Sequence, residues 1–219
     1  MTREEDLVAE IIRLLPDVQP LVSSSDDGSD LYEAFLFGAV VSAAESEGAH
    51  IWFKDVHGQQ QTQLTFRTSP GYISSRAHPY SHAELVFPNR PQLEVHLGVR
   101  VAGNSHVAHE CDVSVIKKAE ADRCRAVGAL PRSTQLILAL EAKFYTANLP
   151  LGLARAFLGL RTDLGNRDVR FVANISSPSI AALLAARSPA SWHENVVPDN
   201  TYKLDGALRQ VFANYRARR

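Results

Sequence analysis

The spacing of hydrophobic residues divides the 219-residue chain into segments with a helical period and segments with the two-residue alternation of strands. Residues 2–15 carry one apolar stripe, which predicts an amphipathic helix. Residues 30–46 are apolar on nearly all sides, which predicts a buried helix. The other apolar segments predict strands at 51–53, 64–66, 83–87, 93–101, 107–116, 136–145, 169–175 and 192–197, and helices at 151–164, 178–187 and 204–215.

The order of these elements predicts one α/β domain over residues 1–219, with a mixed central β-sheet flanked by helices. The strands at 93–101 and 107–116 flank Gly103-Asn104 and are expected to form a hairpin. The charged segment 117–133 fits a short surface helix or a loop. The helices at the two ends of the chain are expected to be appendages to the core.

Composition limits the possible partners and compartments. Hydrophobic residues make up 45% of the chain and the formal net charge is −1, so no global basic charge points to nucleic acid, although a local basic stripe would suffice to bind it. Cys111 and Cys124 form neither a metal-binding spacing nor a disulfide framework. The chain shows no apolar run of membrane-spanning length and no apolar leader, so we expect a cytoplasmic protein without a membrane partner.

Charged residues interrupt the apolar segments at three places. Glu141 and Lys143 are two residues apart at the end of a predicted buried strand, so their side chains share a face, and Asp112 lies inside the preceding strand. Asp30 is expected to cap the second helix, with Glu33 at the third helical position of a capping box. Because a buried charge is costly unless it is paired or binds a metal, these residues predict a site. The alternative is a solvated strand end, with Asp112 paired to an arginine.

Strand alternation extends the predicted site by one residue. Glu110 shares a face with Asp112, whereas His109 is expected to point to the opposite face. With His96 and His106, His109 is interpreted as an ordinary strand or turn histidine, because a zinc site requires more ligands at defined spacing.

The combination of Asp112, Glu141-Ala142-Lys143 and the helical Glu33 resembles the PD-(D/E)XK nuclease superfamily over roughly residues 30–187. This resemblance implies a restriction-endonuclease-like core and a Mg²⁺ or Mn²⁺ ion bound by Asp112, Glu141 and the backbone carbonyl of Ala142. Lys143 would orient the attacking water or stabilise the transition state, and Glu33 would serve a second ion or a water. Two features depart from the family: Cys111 replaces a common proline, and the 29 positions from Asp112 to Glu141 require an insertion.

The function implied by this resemblance is metal-dependent hydrolysis of nucleic acid, most simply endonucleolytic cleavage of DNA in bacterial defence or DNA processing. A homodimer and a protein partner in such a system are both compatible with it. Two alternatives stay open: a nuclease fold that binds or assembles without cleaving, and an RNase on the same core.

Basic residues near the predicted site suggest how nucleic acid would be held. The candidates are Lys117, Lys118, Arg123 and Arg125 in the charged segment and Arg155 on the helix that follows Glu-x-Lys, with Glu110 as a possible contact to the cleaved strand. The alternatives are a solvated loop for the first group and packing or ion pairing for Arg155.

Overall fold

The structure is a computed structural model that describes residues 2–77, 79–165, 168–187 and 191–217. The helices are α1 (Arg3–Leu14), α2 (Gly28–Ser46), α3 (Lys118–Val127), α4 (Leu151–Asp163), α5 (Pro178–Arg187) and α6 (Tyr202–Ala217). The strands are β1 (Gln19–Pro20), β2 (His50–Asp55), β3 (Gln63–Leu64), β4 (Ser81–Val86), β5 (Leu93–Ala102), β6 (Ala108–Lys117), β7 (Leu136–Lys143), β8 (Val169–Ala173) and β9 (Trp192–His193).

A mixed seven-stranded sheet with the order β2-β4-β5-β6-β7-β8-β9 forms the middle layer. Neighbouring strands from β2 to β7 are antiparallel, and β7, β8 and β9 are parallel. Parallel neighbours need a crossover connection, which α4 supplies between β7 and β8 and α5 between β8 and β9. The predicted α/β class, with a mixed sheet flanked by helices, is confirmed.

Each face of the sheet is covered by a different set of helices. The larger hydrophobic core lies under α1, α2 and α6, and ten residues of α2 are buried in it, as its all-round apolar pattern predicts. The second core lies under α3, α4 and α5. The described helices include none that is long and apolar enough to cross a membrane.

The hairpin of β5 and β6 is confirmed, but two local predictions are wrong. Helix α2 begins at Gly28 rather than after Asp30, because the Asp27 side chain caps it by accepting the N–H of Ser29, so Glu33 lies in the second helical turn. The strand predicted at 64–66 is instead β3, Gln63–Leu64. It pairs in parallel with β1 at residues 19–20, which were not predicted to be extended.

The burial of α2 gives a stability prediction. Phe35 has no exposed surface and contacts Tyr32 at a ring-centroid distance of 5.8 Å. Phe35→Ala is expected to lower the free energy of unfolding by about 3–5 kcal/mol, because it leaves a cavity in the larger core. Urea unfolding measures this loss, and Glu45→Ala on the exposed end of α2 is the matched control, with an expected change within about 0.5 kcal/mol. Equal losses in the two variants would contradict the packing described.

Candidate active site where strands β6 and β7 diverge

The backbone ladder between β6 and β7 ends at the pair Val113 and Leu140, and a side chain continues it. Asp112 Oδ2 accepts the backbone N–H of Ala142 at 2.6 Å. Asp112 is only 7% exposed, so this bond fixes a buried carboxylate against the neighbouring strand. On β5, the position opposite Asp112 is Gly98, whose φ of +54° lies in the left-handed region that favours glycine, and this marks a local distortion of the hairpin.

Lys143 joins the two strand acids, as their predicted common face requires. Its Nζ lies 2.7 Å from Glu141 Oε1 and 3.6 Å from Asp112 Oδ2. All three side chains are largely shielded from solvent. The alternative of an arginine partner for Asp112 is therefore not what the structure shows, since the nearby cation is Lys143.

The three side chains line a surface pocket with a volume of about 340 Å³. Its lining comes from β6, β7 and one side of α4, and consists of His109, Glu110, Asp112, Glu141, Lys143, Ala156 and Leu160. Glu110 thus lies on the Asp112 side, as strand alternation predicts. Small and apolar side chains of α4 form the wall opposite the acids, which leaves space for a bound group.

The acidic side chains that line this pocket outnumber Lys143, and the resulting repulsion contributes to raised pKa values of two of the acids. Burial and the charge of Glu141 raise the pKa of Asp112 above its ordinary value, although Lys143 and the Ala142 amide oppose the rise. Burial, followed by the charge of Glu141, also raises the pKa of Glu110. The site therefore holds more negative charge than its own cation neutralises, which favours binding of a further cation.

Glu33 on α2 belongs to the same electrostatic cluster. Burial is the main reason that its pKa rises to about 9, and the negative charges of Asp112 and Glu110 add to the rise. The charge of Lys143 lowers it by less. The structure thus brings the helical acid within electrostatic range of the strand acids, although Glu33 is not among the side chains that line the pocket.

Lys143 is held in its charged form. Burial by itself lowers the pKa of Lys143, but the negative charges of Asp112 and Glu141 outweigh burial and raise the pKa above its ordinary value. Its ammonium group is therefore a fixed positive charge at neutral pH.

His109 corrects the sequence interpretation, because it lines the same pocket as Asp112 instead of facing away. Residues two apart in a regular strand share a face, but here Cys111 packs in the second core and Val113 in the larger one. The alternation of side chains therefore breaks at this end of β6. His109 Nε2 lies 2.5 Å from Asp163 Oδ2, and Ser105 donates to the same carboxylate through its backbone N–H and its hydroxyl. These bonds, led by that of the Ser105 hydroxyl, lower the pKa of Asp163 to about 2.

The link between His109 and Asp163 spans 54 positions, and no spacing in the sequence signals it. A weak signal lies in Gly103, since a Cβ at this position would collide with the Asp163 carboxylate. The turn between β5 and β6 is therefore built closely around the end of α4.

Three of the predicted nucleic-acid contacts are engaged in ion pairs within the protein. Lys118 and Arg125 both contact Glu94, at 3.4 Å and 2.5 Å, and Arg123 forms two hydrogen bonds with Glu120. The charged segment is thus mostly the helix α3. Lys118 and Arg125 hold it to the buried Glu94 of β5, whereas the pair of Arg123 and Glu120 lies within the helix.

The two remaining basic candidates have different surroundings. Lys117 is half-buried at the end of β6, while Arg155 is exposed on α4, directly before the pocket-lining Ala156. Arg155 is therefore the candidate whose position suits contact with a polymer lying across the pocket.

Comparison with known proteins adds no assignment: no family model, no curated protein and no solved structure matches the chain.

The raised pKa of Glu33 predicts a pH-dependent stability. Between the ordinary pKa of 4.5 and about 9, the unfolded chain releases a proton that the folded protein retains, so this carboxyl destabilises the fold increasingly as pH rises. The stability gained by Glu33→Gln should therefore be larger at pH 8 than at pH 5 by about 1.4 kcal/mol or more, the equivalent of one pKa unit. Urea unfolding at both pH values measures it, with Glu45→Gln on α2 as the control. A gain independent of pH would refute the assignment.

Proposed function

We propose that this protein is a Mg²⁺-dependent nuclease that hydrolyses phosphodiester bonds in DNA. The observation that carries the proposal is the meeting of Asp112, Glu141 and Lys143 in one pocket, with the ammonium group 2.7 Å and 3.6 Å from the two carboxylates. Cleavage of a phosphodiester requires neutralisation of developing negative charge and activation of a water molecule, and carboxylates with a nearby ammonium are suited to both.

The topology supports a restriction-endonuclease-like fold within the proposal. An antiparallel pair, β6 and β7, carries Asp112 and Glu141, and a crossover through α4 leads to the parallel strand β8. The buried helix α2, which carries Glu33, packs against β5, β6 and β7. This order resembles the core of the PD-(D/E)XK nucleases, and a single domain with its core at about residues 30–187 remains part of the proposal.

The donor set fits Mg²⁺, or Mn²⁺ in its place. Both ions prefer oxygen ligands, and the carboxylates of the buried Asp112 and the partly buried Glu141 form an excess of negative charge that one such ion would relieve. The carbonyl of Ala142 would complete the set, and Glu33 would hold a second ion or a water. When bound, the ion supplies Lewis acidity and a water molecule of lowered pKa.

The side chains of the chain itself would orient the scissile phosphate. Lys143, fixed between two carboxylates, would stabilise the negative charge that develops on the phosphoryl oxygens. Arg155 is placed to contact a neighbouring phosphate. Ala156 and Leu160 form the α4 wall of the pocket.

The biological setting follows from the resemblance alone. We propose bacterial defence or DNA processing in the cytoplasm, with the protein acting as a homodimer or together with a protein partner. Two copies would place two pockets on the opposite strands of a duplex.

Cleavage of labelled duplex DNA in the presence of Mg²⁺ tests the proposal. Asp112→Asn and Lys143→Met are each expected to lower the rate by about 10²-fold or more, because the first removes a proposed ligand of the metal ion and the second removes the positive charge that would stabilise the reacting phosphate. Lys203→Met on α6 removes a lysine outside the pocket and serves as the control, with an expected rate equal to that of the unmodified protein.

Two results would count against cleavage by this site. Cleavage that persists in both pocket variants would indicate a contaminating nuclease or a different site. Binding of DNA without any Mg²⁺- or Mn²⁺-dependent cleavage would instead favour a nuclease fold that serves for binding or assembly.

Substrate preference distinguishes DNA cleavage from the RNase alternative. Matched duplex DNA, single-stranded DNA, duplex RNA and single-stranded RNA of one sequence are compared in the same buffer. We expect duplex DNA to be cleaved fastest, with Arg155→Ala weakening binding to all sequences and reducing the salt dependence of binding by about one phosphate contact. Faster cleavage of RNA would overturn the assignment of DNA as the substrate, but it would not contradict the assignment of the catalytic residues.

A further inference from the structure

A second cluster of charged and polar side chains is buried on the face of the sheet next to α3. His82 and Glu84 alternate on β4, and Glu94 and His96 alternate on β5. All four are at most 4% exposed. Because the intervening Ala83 and Val95 pack in the larger core, the four polar side chains share the opposite face. None of them lines the pocket of Asp112.

Glu84 and Glu94 are direct cross-strand partners, so two carboxylates face each other in the interior. Like charges in this position are destabilising unless a cation lies between them. The ammonium group of Lys118 has this role, with Nζ 3.1 Å from Glu84 Oε1 and 3.4 Å from Glu94 Oε1. The position between the two carboxylates is therefore one in which a cation bridges Glu84 and Glu94.

His82 is the side chain that the ion pairs do not explain. It is 2% exposed, yet among the residues that the structure describes neither of its ring nitrogens has a hydrogen-bond partner. Its Nε2 lies 3.9 Å from Glu94 Oε1, and its ring stacks on His96 at 5.0 Å. A buried polar nitrogen without a partner is costly, which indicates that the imidazole is placed for a group other than those around it.

We propose that His82, Glu84 and Glu94 form a binding site for a divalent transition metal of the Zn²⁺ class, in which the metal replaces the Lys118 ammonium. Ligand atoms from the three residues lie within 4.8 Å of one another, so small side-chain rotations would bring all three onto one central ion. One nitrogen and two carboxylate oxygens favour Zn²⁺ over Mg²⁺, which rarely takes an imidazole ligand.

The ionisation states in the cluster suit metal binding. Burial and the neighbouring His96 lower the pKa of His82 to about 3, so the imidazole is neutral at neutral pH and its lone pair is available. Burial raises the pKa of Glu94, but hydrogen bonds from His96 and Arg125 outweigh this and keep the carboxylate ionised. Neutral imidazole and ionised carboxylate are the forms that bind metals.

The surrounding cations would keep the two glutamates in place while a metal ion replaces the Lys118 ammonium. Lys54 contacts the other oxygen of Glu84 at 2.8 Å, and Arg125 grips Glu94 through two hydrogen bonds, so both would hold the ligands in orientation. Lys118 also contacts Asp122 at 3.1 Å, and this half-exposed carboxylate can retain the ammonium when it leaves the interior.

Titration of the full-length, metal-free protein with Co²⁺, followed by displacement with Zn²⁺, tests the site through the visible absorption of bound Co²⁺. All variants carry Asp112→Asn and Glu141→Gln, so that the other pocket contributes no carboxylate pair. We expect one tightly bound ion per chain. Lys118→Met should tighten binding about tenfold or more, because the competing charge is gone, and Lys203→Met should leave it unchanged.

His82→Gln and Glu84→Gln should each weaken binding by more than the roughly 10- to 100-fold that loss of an outer hydrogen-bond partner costs. Should these variants fail to fold by circular dichroism, the Lys118→Met affinity and X-ray absorption of bound Zn²⁺ decide, with one imidazole among the ligands expected. Absence of bound Co²⁺ in folded Lys118→Met protein, or binding unaffected by His82→Gln, overturns the proposal. This outcome is independent of DNA cleavage.

Discussion

The hydrogen bond from the Ala142 amide to Asp112 is the interaction on which the candidate active site depends. The strands β6 and β7 separate beyond Val113 and Leu140, and the Asp112 carboxylate takes the place of the missing ladder bond. A buried carboxylate is thereby held beside Glu141, and the same oxygen, Oδ2, lies 3.6 Å from Lys143 Nζ. A carboxylate in the interior is expensive, so its position is set by this bond and by the ammonium group together, and loss of either would leave an unpaired buried charge.

The protein contains two buried acid clusters with opposite charge balance. Around Asp112, the described acids outnumber the nearby cations, and burial together with the charge of Glu141 raises the pKa values of Asp112 and Glu110. Around Glu94, basic side chains contact every carboxylate, and hydrogen bonds lower its pKa despite burial. The first cluster attracts an additional cation, whereas a metal at the second must exchange with Lys118. The two clusters therefore differ in charge balance: the first has unneutralised acidic charge, whereas the second is already neutralised by Lys118 and its neighbours.

Sequence patterns predicted the elements that carry strong periodicity and missed those set by single contacts. The apolar surface of α2 and the alternation along β7 predicted the buried helix and the common face of Glu141 and Lys143. The predicted start of α2 was wrong because the helix is capped by Asp27, which precedes Gly28, and not by Asp30. The orientation of His109 was wrong because strand alternation breaks near Gly98, and its partner Asp163 lies on a distant helix. His-x-Glu and Glu-x-His on β4 and β5 were visible, but their pairing required the sheet order.

The charge state of Lys143 restricts the chemistry that this site can perform. A lysine acts as a general base only when its pKa falls toward neutrality, which burial alone would cause. Here two carboxylates within 3.6 Å outweigh burial, and the pKa rises. Lys143 is therefore suited to stabilising negative charge on a phosphate and unsuited to accepting a proton from water. Within the proposed mechanism, activation of water would therefore have to come from a carboxylate or a bound cation, and the acid excess around Asp112 is what would attract that cation.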